Sequence, residues 1–184
     1  MTVLGPRGAI VFVGMMATGK TTVGRAVAAR LGRDFYDSDS MIEADTGKTV
    51  AELWRSGGEA AFRALETEAL DDALVAEPAG VIAAAGGVVL SAANRARLQR
   101  ASEDGAVVVW LRADPAVLAE RVRPGDHRPL LATNPVGTLT RLAAERETLY
   151  AEVADRTIDV DRMDVGRVVA AALDEIDAYH RTRS

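Results

Sequence analysis

The sequence predicts a three-layer α/β/α domain on a five-stranded parallel sheet, and three observations predict it. Five short β-rich runs alternate with longer helical patterns along the 184 residues. Ala9-Ile10-Val11-Phe12-Val13 and Ala106 to Leu111 (AVVVWL) are apolar throughout, as strands covered on both faces are. A glycine-rich pattern separates the first of these runs from the helical stretch that follows it.

Taken in order, Ala9 to Val13 is the first strand. Lys20 to Leu31 is its helix, with Val23, Val27 and Leu31 at helical spacing. Phe35-Tyr36-Asp37 is a short second strand. Three helical pieces follow, Ser40 to Asp45, Val50 to Arg55 and Gly58 to Ala76, separated by Gly47 and the Gly57-Gly58 pair. Val81-Ile82-Ala83-Ala84 is a third strand ending in Gly86-Gly87, and Ala106 to Leu111 a fourth. Asp114 followed by Pro115 starts a helix, a side-chain cap and then a residue whose missing N–H costs nothing in the first turn. Thr157 to Val160 is the last strand. Val165 to Tyr179 closes the chain as a helix with Val168, Val169, Ala172, Leu173 and Ile176 on one face. A stretch rich in Pro, Gly and charge, Arg123 to Gly137, breaks the alternation; a loop this long in a compact domain points to function, and a lid over about 122–137 is expected.

Composition narrows the function classes. One domain spanning 1–184 is expected, large enough to bury roughly 70% of its unfolded surface without staples. The absence of cysteine excludes a disulfide framework, a thiol nucleophile and a thiolate metal site. With 22 Lys+Arg against 27 Asp+Glu, a net charge of -5 and 4% aromatic residues, nucleic acid is not an expected partner. No apolar run approaches the roughly 18 residues of a membrane span. Gly8 to Ala17 could pass for a secretory signal, but only Arg7 precedes it and it runs straight into Gly19-Lys20. A soluble cytoplasmic monomer is expected.

The chemistry starts at Gly14-Met15-Met16-Ala17-Thr18-Gly19-Lys20-Thr21, which fits G-x-x-x-x-G-K-[ST] between a strand and a helix. Such a loop wraps an anion with inward N–H groups, and the first helical turn, here Lys20, Thr21 and Thr22, adds more at the positive end of its dipole. Lys20 is placed to reach the β- and γ-phosphates of a nucleotide and Thr21 to hold Mg²⁺. No Asn-Lys-x-Asp guanine-reading motif occurs, and the third strand ends without a carboxylate, so a GTPase and an ATPase motor are disfavoured. The acids lie instead in Asp37-Ser38-Asp39, at the sheet edge where parallel strands collect ligands. In an extended stretch the two aspartates share a face. One could support a metal and the other accept a proton from a substrate hydroxyl, or Asp39 could cap the helix near Ser40.

With the phosphate loop, Asp37-Ser38-Asp39, Gly58 to Glu66 (GEAAFRALE), Gly86-Gly87, Arg128-Pro129-Leu130-Leu131 and Arg146-Glu147-Thr148-Leu149-Tyr150 in this order, the chain resembles the shikimate kinases over nearly its full length. The resemblance implies the nucleoside monophosphate kinase-like P-loop fold, with a helical substrate-binding segment over about 40–76, and transfer of the ATP γ-phosphate to the 3-hydroxyl of shikimate in aromatic amino-acid biosynthesis. It implies that Lys20 contacts the phosphates, that Thr21 ligates Mg²⁺ with Asp37 in support, and that Asp39 binds the shikimate hydroxyls and acts as base or positions them. Arg63 and Arg146 match the clamp on the substrate carboxylate. Gly86 and Gly87 match glycines whose backbone approaches the substrate, Arg128 the lid arginine, and Arg121 an arginine near the nucleotide. Asp159 to Met163 would lie near the adenine.

Independent chemistry agrees. A small polyol carboxylate calls for a fork of N–H donors and an acceptor for hydroxyls. Glu66, three residues after Arg63, is spaced to hold its guanidinium. Trp54, Met41, Val50 and Leu53 read as core of the substrate segment. The family's three consecutive glycines are here Ala85-Gly86-Gly87, and a Cβ at Ala85 could narrow the pocket or forbid a positive φ. That keeps a same-fold kinase for gluconate, an aminated shikimate or another cyclitol as the alternative, with a nucleotide-binding regulatory module as a third reading.

Overall fold

The computed structural model describes residues 8–122 and 134–183. Five strands form one parallel sheet: β1 (Ile10–Val13), β2 (Phe35–Asp37), β3 (Val81–Ala83), β4 (Val107–Arg112) and β5 (Arg156–Asp159), ordered β2-β3-β1-β4-β5. The central strand β1 is buried at every residue, which is why it reads as a continuous apolar run. The described helices are α1 (Lys20–Leu31), α2 (Ser38–Thr46), α3 (Val50–Val75), α4 (Ala92–Glu103), α5 (Pro115–Arg121), α6 (Pro135–Val153) and α7 (Val165–Arg183).

Alternation along the strands splits the core into two layers. Val11, Val13, Ile82, Val108 and Trp110 meet α3, α4 and α6 through Leu70, Leu98, Leu142 and Tyr150. Ile10, Phe12, Val107, Val109 and Leu111 meet α1 and α7 through Val23, Val27, Val168, Ala172 and Ile176. A third, small cluster of Ile42, Phe62 and Ala69 holds α2 against α3, with Trp54 packed edge-on to Phe62 at 5.5 Å between ring centroids.

Two local expectations change. Helix α2 begins at Ser38, so Asp37 and Asp39 are not two positions of one extended stretch. The carboxylate of Asp37, not Asp39, caps α2 by accepting from the Ser40 N–H at 3.1 Å. The expected break between the pieces Val50 to Arg55 and Gly58 to Ala76 is present within α3 at Gly58, whose φ of 71° and ψ of -178° are non-helical and divide two helical stretches. Helix α4, preceded by a 3₁₀ turn over Val88–Leu90, fills a stretch in which no element is expected. Of the expected lid, 134–137 belong to α6 and its Asn134 cap, while 123–133, with Arg128, lie outside the described residues.

Candidate active site

The phosphate loop leaves the carboxyl end of β1. Gly14 takes φ 141° and packs on β4, where a Cβ would sit 2.4 Å from the Leu111 carbonyl oxygen, so only glycine fits. The Thr18 hydroxyl donates to the Met15 carbonyl at 2.8 Å, and Lys20 Nζ donates to the carbonyls of Gly14 and Met15 at 2.8 and 2.9 Å. These bonds close the loop on itself. Ala17 holds φ 64°, the one non-glycine residue with positive φ among those described. At the cap of α1, Gly19 offers no side-chain acceptor, so the first-turn N–H groups keep their capacity for an anion.

A cavity of about 400 Å³ opens above this loop and joins two walls. On one stand Met16, Ala17, Gly19, Lys20, Thr21, Thr22 and Arg121; on the other Asp37, Asp39, Arg63, Glu66, Gly86, Gly87 and Arg146. Met15 is buried in the core beneath the loop, and Gly14 and Thr18 build its frame rather than its lining. Arg121 Nη2 donates to the Val160 carbonyl at 2.7 Å, which ties it to the Asp159 to Met163 segment.

The acidic corner is compact. Thr21 Oγ1 donates to Asp37 Oδ2 at 2.7 Å, so Asp37 braces the loop threonine with one oxygen and caps α2 with the other. These two hard oxygen donors fit Mg²⁺, which prefers carboxylate and hydroxyl ligands and keeps several waters. Among the described residues no cluster of three metal-binding side chains occurs.

The arginines are built deeper. Arg63 donates to Glu66 at 2.6 Å and Glu59 at 3.1 Å, and its guanidinium lies 5.4 Å from the Trp54 ring. Arg146, 4% exposed, donates from Nη1 to the Gly86 carbonyl at 3.1 Å. The Nε–H groups of both are buried with no hydrogen-bond partner. Burial pushes the Glu66 carboxyl above the usual range, against the opposing pull of Arg63.

The glycine turn fits between these groups. A Cβ on Gly87 would lie 1.8 Å from Arg63 Nη1, and one on Gly86 3.5 Å from the phosphate loop at the Gly14 oxygen and the Met16 nitrogen. Ala85 is buried, lines the cavity and is not among the positive-φ residues, so its backbone conformation does not call for glycine. Trp54, expected as core only, both packs on Phe62 and lines the cavity. Tyr150, quoted only as part of a motif, donates to the Gly86 carbonyl at 2.6 Å.

A family model described as shikimate kinase matches residues 16–177. The chain belongs to the shikimate kinase family. It is 44% identical over 170 residues to a shikimate kinase of Symbiobacterium thermophilum, covering 91% of this chain and 95% of that one. A shikimate kinase of Burkholderia lata is 43% identical over 173 residues, covering 94% and 91%. The structure of a shikimate kinase from Acinetobacter baumannii in complex with shikimate superposes with a TM-score of 0.87 at 36% identity, covering 95% of this chain and 94% of that one. A gluconokinase from Sinorhizobium meliloti, at 20% identity and a TM-score of 0.55, shares the fold alone. The chain is thus an ATP-dependent phosphotransferase of the shikimate kinase type, and the gluconate alternative is set aside. No described helix is long and apolar enough to cross a membrane.

Proposed function

We propose that this chain transfers the γ-phosphoryl group of ATP to the 3-hydroxyl of shikimate, with Mg²⁺ as its metal and one chain in the cytoplasm as the working unit. The observation that carries this reading is the pair of guanidinium side chains, Arg63 and Arg146, lining the same cavity as Lys20 and Thr21. A carboxylate entering between two guanidinium groups accepts charge-assisted hydrogen bonds from both.

Each residue then has a task. Lys20 and the uncapped first turn of α1 receive the β- and γ-phosphate oxygens. Thr21 and Asp37 hold the metal, which when bound neutralises phosphate charge. Arg63 and Arg146 fix the carboxylate end of the acceptor, which orients its ring hydroxyls. Asp39, in the first turn of α2, accepts the proton of the attacking hydroxyl as the new P–O bond forms and the bond to ADP breaks. Arg121 borders the nucleotide, and Arg128 is assigned the charge-neutralising lid arginine on the resemblance.

Purified protein with ATP and Mg²⁺ is expected to form ADP in the presence of shikimate and not without it. Turnover of gluconate or a cyclitol with none of shikimate would sink the reading.

A further inference from the structure

Two donors of α6 converge on one backbone oxygen. The Gly86 carbonyl accepts from Tyr150 Oη at 2.6 Å and from Arg146 Nη1 at 3.1 Å, which uses both of its lone pairs. The Gly86 carbonyl and the Gly87 N–H belong to the same planar peptide unit and point in opposite directions. An oxygen held toward α6 therefore turns the Gly87 N–H away from α6. Among the described residues that N–H donates to no protein acceptor, and the Arg63 guanidinium lies directly over the Gly87 α-carbon.

The peptide needs this restraint because of where it sits. Flanked by two glycines, its plane has no Cβ on either side to hinder a flip. A flip would put a carbonyl oxygen where the N–H stands, next to an anionic ligand. The far end of the same turn is fixed separately, since Arg95 Nη1 donates to the Val89 carbonyl at 2.9 Å. Tyr150 is suited to the near end. It is 1% exposed and its ring stacks on Trp110 at 5.7 Å, so its hydroxyl has a fixed position. Burial pushes its phenol up to about 12, so it remains protonated and a donor at any pH the enzyme meets.

We infer that Tyr150 is a positioning residue for the acceptor: by holding the Gly86 carbonyl on α6, it presents the Gly87 N–H as a third donor, beside Arg63 and Arg146, to the carboxylate of the substrate. Arg146 has two roles in this arrangement, as clamp and as second pin, whereas Tyr150 touches only the pin. The inference rests on the reading of the acceptor as shikimate.

The test compares Tyr150→Phe with the wild type on two acceptors, shikimate and its analogue with the carboxylate reduced to a hydroxymethyl group. Phenylalanine keeps the ring against Trp110 and removes only the donor. The expected result is a KM for shikimate raised about tenfold, with kcat and the KM for ATP within about twofold, and kcat/KM for the analogue nearly unchanged; a tenfold change corresponds to about 1.4 kcal/mol. The ratio of the two acceptors' KM values does not depend on how much of the variant is folded. Equal losses on both acceptors mean that Tyr150 is structural only, and no loss on either means that the peptide holds its orientation unaided; each overturns the inference. A wild type inactive on shikimate overturns the reading beneath it instead.

Discussion

Ala17 is a residue at odds with its own backbone. At φ 64° its Cβ crowds the following carbonyl, a conformation that costs an L-residue roughly 1–2 kcal/mol. Glycine there removes the strain, but its looser unfolded chain gives back about 0.4–1 kcal/mol. Ala17→Gly is therefore expected to raise the melting temperature by up to about 6 °C, given some 2–4 °C per kcal/mol at this chain length. A lower melting temperature in calorimetry would show that the loop carries no such strain. Glu66 offers a second residue-scale prediction. It is 3% exposed beside Arg63, and burial raises its carboxyl above the value it has in the unfolded chain. A folded state that binds the proton more tightly gains stability on acidification; that gain is complete below the unfolded pKa and is lost as pH rises through the folded one. Measured against Glu66→Gln, which cannot titrate, the wild type should become relatively more stable as pH is lowered from neutral to the ordinary carboxyl value of 4.5. A stability difference that is flat across this range would contradict the upward shift.

At the scale of elements, α3 is where geometry and site meet. Its first half carries Val50 and Trp54 and its second half Arg63 and Glu66, so the Gly58 kink sets the angle between two stretches of the acceptor wall. The backbone there, φ 71° and ψ -178°, is essentially restricted to glycine, although a Cβ would meet nothing within 4 Å. Gly58→Ala should thus cost about 1–3 kcal/mol through conformation alone, or straighten the helix and swing Trp54 away from the cavity. In the second case shikimate KM is expected to rise several-fold while ATP binding holds; a melting temperature and acceptor kinetics both unchanged would mean that the kink is incidental. The kink was legible from Gly57-Gly58, as were the strands, whose burial on both faces leaves uninterrupted apolar runs. Helix α4 was not, because Leu98 is its one large buried apolar side chain and its inner face is completed by Asn94 and Ser102, a pattern without an apolar stripe. The same limit applies in the site. The Arg63–Glu66 pair follows from helical spacing, but Tyr150 and Gly86 are 64 residues apart and meet only because α6 packs beside the turn after β3. Asp37 read as part of an extended pair because nothing in Asp-Ser-Asp says which aspartate caps.

For the whole molecule, the net charge of -5 conceals a cavity where Lys20, Arg63, Arg121 and Arg146 are gathered from α1, α3, α5 and α6. The cations sit on elements of unequal strength. The helices α1 and α6 are packed into the two large core layers, whereas α2 and the first half of α3 rest on the small cluster of Ile42, Phe62 and Ala69. Segments with few buried apolar contacts open locally at a lower free energy than the core. In hydrogen exchange of the unliganded protein, amides of α2 and of α3 up to the Gly58 kink should exchange well before those of β1 and β4. If Arg63 and Asp39 hold shikimate as proposed, shikimate should slow this segment about 100-fold at a concentration of 100 Kd, equivalent to about 2.7 kcal/mol. The C-terminal turn of α7, with Arg181 and Arg183 exposed and not among the cavity's lining residues, should be unaffected. If α2 instead exchanges in step with β4 before ligand is added, the acceptor wall is no separate unit. It would then open only when the whole domain unfolds, and binding would meet a preformed site.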